Sequence, residues 1–198
     1  MDSSQPQYPN LLIVIGASAG GLQQIVKIIR ELPDYFQATV LFACHRDPKS
    51  PNVLHEILAK NTDLKVKQPI AGEKLVCTTI YVGKPEESVE VEGRHLRTEI
   101  DISDLARMER IDDLFKSAAQ SAGENAVGVI LTGMLSDGVE GLKAINEAGG
   151  YCMVQDPDDA EFESMPVSAL KEVDADFVGT TDAITQKLIS LAEGRVCK

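Results

Sequence analysis

Unbroken apolar runs of strand length, each followed by a helix-spaced segment, constrain this chain more than any other feature. The first example is LLIVIGASAGGLQQIVKIIREL. Leu11–Ile15 passes through a small-residue turn into apolar positions at Leu22, Ile25, Val26, Ile28, Ile29 and Leu32, the spacing of an amphipathic helix. Further strands are expected at 38–44, 64–67, 79–82, 126–131, 151–154 and 177–178, and further helices at 52–60, 111–122, 138–148, 166–172 and 182–192. A continuous apolar strand is buried on both faces, so the expected fold is α/β: a doubly wound, mostly parallel sheet with helices on both faces. Val89–Glu92 and His95–Thr98, joined through Gly93-Arg94, read as a small antiparallel hairpin. Residues 1–10, polar and holding Pro6 and Pro9, read as a flexible N-terminal lead-in, and 11–198 as one domain.

Charge narrows the function. The 198 residues carry 19 Lys+Arg against 31 Asp+Glu, a formal net charge of −12. Nucleic-acid binding needs clustered basic residues to displace counterions from phosphates, and the longest basic stretch is Lys65 and Lys67 around a valine. An anionic membrane surface is disfavoured for the same reason. No run reaches the roughly 18–20 apolar residues of a membrane span, so direct membrane insertion is not expected. The start MDSSQPQYPN lacks the features of a secretory signal. Cys44 and Cys152 lie in or beside apolar strands and read as buried thiols, and the expected compartment is the cytoplasm.

In open α/β sheets, ligands sit beyond the carboxyl ends of the strands. After the first strand comes Gly16-Ala17-Ser18-Ala19-Gly20-Gly21. A P-loop would close on Lys-Ser/Thr, where Leu22-Gln23 stand, and a dinucleotide fingerprint would place glycine where Ser18 stands. G-x-S-x-G in a strand–turn–helix context fits a nucleophile elbow, with the helix N-terminus offering N–H groups to an oxyanion. The turn alone leaves a second reading open, Ser18 as an ordinary helix N-cap. The second strand ends at His45, a general base at the right kind of position, whereas His55 in a helix and His95 in the hairpin read as surface or structural residues. Asp137, in the glycine-bounded loop after the strand 126–131, is either an N-cap or the carboxylate that orients an imidazole. Metal binding through Cys44, His45, Asp47 and Asp137 has no recognisable ligand spacing, so neither metal nor cofactor is expected.

GASAGG after an apolar strand, a strand ending in histidine, VGVILTGMLSDGVEGL, and QDPDDAEFESMPVSAL resemble the catalytic domain of the bacterial chemotaxis protein-glutamate methylesterases from about Ile13 onward. The resemblance implies Ser18 as nucleophile, His45 as general base then acid, and Asp137 as the orienting carboxylate. It also implies that the backbone N–H groups of Ala19 and Met134 hold the oxyanion. The implied reaction is hydrolysis of glutamate γ-methyl esters on the methylated cytoplasmic domain of chemoreceptors, with deamidation of certain glutamines beside it. A catalytically vestigial signalling module of the same fold and a generic small-ester esterase are the alternatives.

Three departures from the family stand out. Only about ten residues precede the first strand, so a regulatory receiver domain is expected to act in trans or to have been removed with the rest of a longer chain. Arg107-Met108-Glu109-Arg110-Ile111-Asp112 replaces a Pro-Ser-Val-Asp-like start to the helix, and His45-Arg46 replaces His-Met. These changes bear on the substrate surface and leave Ser18, His45 and Asp137 in place.

Overall fold

A computed structural model describes residues 11–195, without the side chains of 104–107. The lead-in at 1–10 and the Arg107 side chain therefore lie outside the described residues. The elements in chain order are β1 (Leu12–Ala17), α1 (Gly21–Glu31), β2 (Thr39–Cys44), α2 (Leu54–Ala59), β3 (Lys65–Lys67), β4 (Thr79–Val82), β5 (Glu87–Glu92), β6 (His95–Ile100), α3 (Asp104–Ala122), β7 (Ala126–Ile130), α4 (Val139–Glu147), β8 (Tyr151–Gln155), α5 (Ser164–Glu172), β9 (Phe177–Gly179) and α6 (Thr181–Ala192). Seven strands form one parallel sheet in the order β3-β4-β2-β1-β7-β8-β9, and β5 pairs with β6 in a separate antiparallel ribbon.

The continuous apolar strands are the cause of this layering. Successive side chains of a strand point to opposite faces, so a run with no polar alternation needs cover on both. Ile13 and Ile15 pack into one core with Ile25, Ile28 and Ile29 of α1 and Ile184 and Leu188 of α6. Leu12 and Val14 pack into the other, with Ile111, Leu114 and Phe115 of α3 and Leu142 and Ile145 of α4. The hairpin closes part of that second face. Val89, Val91 and Leu96 are buried there, and Ser121 Oγ donates to the Val91 carbonyl at 2.8 Å.

Two elements differ instructively from the sequence expectation. Helix α3 starts at Asp104, seven residues earlier than its apolar spacing indicates, because one of its early inward positions is not apolar. Arg110 is buried, and its Nη1 donates to the Pro85 carbonyl at 2.9 Å. The hairpin strands run to Glu87 and Ile100, beyond their alternating centre: main-chain pairing continues there, although Glu87 is a buried charged residue and Ile100 an exposed apolar one. Among the described residues no helix is long and apolar enough to cross a membrane.

The sheet order also sets the site. The chain builds β2, then the edge strand β3, then β4 between them on one side of β1, and returns to place β7 on the other, making β1 the topological switch point. Register pairs Ala17 with Cys44 and Gly16 with Ile130. Ser18, His45 and the loop carrying Asp137 therefore leave the sheet at one edge.

Candidate active site

Ser18 sits at the start of the turn into α1. The residue that caps that helix is Gly20, in the left-handed region at φ 75°, with no side-chain cap. Ser18 is thus not the N-cap, and its hydroxyl is available for other bonds. The same holds for Asp137: the cap of α4 is Gly138, at φ 85°, with no side-chain bond. Both capping alternatives are set aside by this geometry.

Ser18 Oγ lies 3.3 Å from His45 Nδ1, and the same nitrogen lies 3.4 Å from Asp137 Oδ2. One ring nitrogen thus faces both partners, whereas the familiar Ser-His-Asp arrangement uses opposite ring nitrogens. A neutral imidazole with its lone pair on Nδ1 can accept a proton from Ser18 Oγ, and an imidazolium formed there would stand beside the Asp137 carboxylate. Asp137 is buried, and burial pushes its carboxyl above the usual range. The His45 charge opposes that shift, and Asp112 adds to it. A carboxylate short of water gains most from a cation forming within reach.

Around the serine, backbone donors divide into those already engaged and those left over. Ser18 N–H donates to the Thr132 carbonyl at 3.1 Å, and Gly133 N–H to the Phe162 carbonyl at 3.0 Å. Among the described residues the N–H groups of Ala19 and Met134 donate to no protein acceptor. Gly133 is there for closeness: a Cβ on it would collide with Met165 Sδ and come within 2.9 Å of Ser18 Cβ. Leu135, one residue past Met134, holds φ 68°, a conformation that costs a non-glycine residue about 1–2 kcal/mol and marks this loop as constrained by its surroundings.

Beside Ser18 and His45 opens a cavity of about 200 Å³, lined largely by apolar side chains that include Leu22, Ile25, Pro51 and Val53. Leu22, Val53, Met134 and Leu135 are all exposed. Arg46, at the position where the family often has methionine, turns its guanidinium to the Gly83 carbonyl through Nη2, tying the end of β2 to the segment after β4. His55 lies in α2 and His95 opens β6. Among the described residues no group of three or more His, Cys, Asp or Glu is placed to hold a metal ion. Sequence reasoning assigned no role to Thr132 or Gln155. Both are wholly buried polar residues at or next to the carboxyl end of a strand, and that placement is the signal that could have singled them out.

Fold and site together define an α/β protein of hydrolase type, with serine, histidine and aspartate converging at the carboxyl edge of a parallel sheet. The family model described as CheB methylesterase matches residues 13–188. The chain belongs to the CheB methylesterase family. A relative from Leptospira interrogans is 33% identical over 186 residues, which are 93% of this chain and 96% of its own. The protein-glutamate methylesterase/protein-glutamine glutaminase of Desulfitobacterium hafniense is 28% identical over 98% of this chain. This chain spans only 52% of that longer relative and 52% of a 32% identical one from Yersinia pestis. The solved catalytic domain of Thermotoga maritima CheB methylesterase superimposes with a TM-score of 0.82 and 28% identity, covering 91% of this chain and 98% of that one.

Proposed function

We propose that this protein hydrolyses glutamate γ-methyl esters on the cytoplasmic part of chemoreceptors, with Ser18 as nucleophile, His45 as base then acid and Asp137 as the charge partner of the imidazolium. The observation that carries the proposal is the approach of Ser18 Oγ and Asp137 Oδ2 to one nitrogen of His45. His45 Nδ1 takes the hydroxyl proton while Ser18 Oγ bonds to the ester carbonyl carbon, and the carbonyl π electrons move to oxygen. The N–H groups of Ala19 and Met134 receive that oxyanion. Collapse expels methoxide, which leaves as methanol with the proton from His45. Water, deprotonated by the same nitrogen, then splits the acyl-enzyme to a glutamate side chain and restores Ser18. A glutamine substrate follows the same course with ammonia as leaving group.

The exposed apolar side chains around the cavity support a macromolecular substrate, since a free methyl ester needs no such rim. The remaining parts of the proposal are a cytoplasmic location and control by a receiver domain, supplied in trans or by the additional length seen in the longer relatives.

Methanol release from a methylated receptor fragment, with Ser18→Ala as control, tests the assignment. The variant should stay folded and lose several orders of magnitude, keeping about 10³-fold catalysis over water from the remaining site. Full activity in Ser18→Ala overturns the role of the serine. Labelling by a fluorophosphonate without methanol release points to a small-ester esterase, and no labelling at all to a binding module.

A further inference from the structure

Gln155 ends β8 with its side chain wholly buried, and that side chain joins two loops. Its Oε1 accepts the Thr132 N–H at 2.8 Å, and its Nε2 donates to Asp159 Oδ2 at 2.7 Å and to Thr181 Oγ1 at 3.1 Å. A backbone N–H only donates and a carboxylate only accepts, so the amide has one workable orientation. The Asp159 carboxylate is itself fixed by the Thr181 N–H at 2.9 Å.

Thr132, also wholly buried, uses every polar group it has. Its carbonyl accepts Ser18 N–H at 3.1 Å, and its hydroxyl accepts Phe162 N–H at 2.8 Å. The hydroxyl proton points to the Ala19 carbonyl at 3.2 Å or the Phe162 carbonyl at 3.3 Å. The peptide group that carries the Ala19 N–H is thus bracketed: the Ser18 N–H before it bonds to the Thr132 carbonyl, and the Ala19 carbonyl after it is one of two acceptors in reach of the Thr132 hydroxyl. On its other side Thr132 is two residues from Met134, the second candidate donor.

We infer that Thr132, locked by the Gln155 amide, is a positioning residue that sets the Ala19 and Met134 N–H groups against the oxyanion. The inference rests on the serine-hydrolase reading above. Donors aimed at an oxyanion act only within a few tenths of an ångström of their working distance and must be held before the reaction starts. A single buried residue, seated in the Met134 loop and bonded through its carbonyl to the Ser18 N–H, supplies that rigidity, and the network Asp159–Gln155–Thr132 extends it back to the sheet. Buried polar groups left half-satisfied are costly, so the network holds as a unit.

Thr132→Val removes the hydroxyl at nearly constant shape, and Gln155→Met removes the amide at nearly constant length. Both should lower kcat for methanol release about 10- to 100-fold, below the ~10²–10³ lost with an entire oxyanion donor. KM should stay within about twofold, since ground-state binding is not the target of these donors. The rate of fluorophosphonate labelling should fall in parallel, the pH profile should keep its shape, and Thr132→Ser should recover most of kcat. Folding is checked by circular dichroism at the assay temperature. If Thr132→Val does not fold, Gln155→Met decides. A lower melting temperature with undiminished kcat, or a rise in KM alone, overturns the inference. Absence of both methanol release and labelling in the wild-type protein instead removes the serine-hydrolase reading, and this inference with it.

Discussion

Ser18 Oγ and His45 Nδ1 stand 3.3 Å apart although 27 residues separate them in the chain. Parallel pairing of β1 with β2 produces that approach, because Ala17 opposite Cys44 delivers the next residue of each strand to the same edge. Adjacent strands are about 4.8 Å apart, within the reach of a serine and an imidazole side chain. Each side chain follows directly on its strand end, so the sheet register fixes where the two residues begin.

Because Nδ1 is the atom shared by Ser18 and Asp137, loss of the imidazole should cost more than loss of the carboxylate. His45→Ala is expected to lower kcat on the order of 10⁶-fold and Asp137→Ala on the order of 10⁴-fold, with the double variant hardly worse than the first. Single-turnover methanol release measures all three. Additive losses in the double variant would show that the two residues do not act together.

Asp137→Asn should separate activity from stability. Burial holds the folded carboxyl above its ordinary range, so the folded protein takes up that proton more readily than the unfolded chain. Stability from this group therefore rises as pH falls through the window between the ordinary and the raised value, and the burial cost stands in full at neutral pH. The amide removes the cost. Asp137→Asn should melt higher than wild type at pH 7, by about 2–4 °C for each ~1 kcal/mol relieved, with the gain shrinking at acid pH. Activity should fall roughly 10⁴-fold. Melting curves at several pH values give the sign directly.

Gly133→Ala should damage both packing and chemistry, through different neighbours. The added Cβ meets Met165 Sδ and Ser18 Cβ, an overpacking expected to cost about 1–3 kcal/mol. Adding Met165→Ala opens room on one side and should restore part of the melting temperature. It leaves the contact with Ser18 in place, so kcat should stay low. Recovery of both together would mean that Ser18 is not displaced.

The two thiols that are free among the described residues, Cys44 and Cys152, should be inert. Burial pushes Cys152 up to about 12, with the Asp176 charge adding to it, and it also raises Cys44. The thiolate is the reactive form, so iodoacetamide at pH 8 should leave both residues unmodified, as peptide mass mapping would read. Alkylation of Cys44, which lines the cavity beside Ser18, would show that the cavity opens further than its walls indicate.

The strands of the central sheet were legible because burial on both faces leaves no polar alternation, as in Leu12–Ala17 and Ala126–Ile130. Helix α3 was legible only from Ile111, since its first turns include the buried Arg110 in place of an apolar side chain. Ser18, His45 and Asp137 were visible as residues following strand ends, but whether Ser18 and Asp137 were caps was open until Gly20 and Gly138 took those places. Gln155 and Thr132 carried no local signal beyond their placement, because the value of a buried amide or hydroxyl depends on partners far along the chain.

The amino-acid sequence by itself determined the class of fold and the chemical character of the site: two-sided burial of apolar strands demands helices on both faces, and a hydroxyl, an imidazole and a carboxylate stand in the loops beyond three of those strands. Only the tertiary structure decided that β7 lies beside β1 rather than at an edge, that one imidazole nitrogen faces both Ser18 and Asp137, and that Thr132 braces the serine turn. Strand order and hydrogen bonding between distant segments depend on which apolar faces bury each other best, and that is a property of the packed chain as a whole.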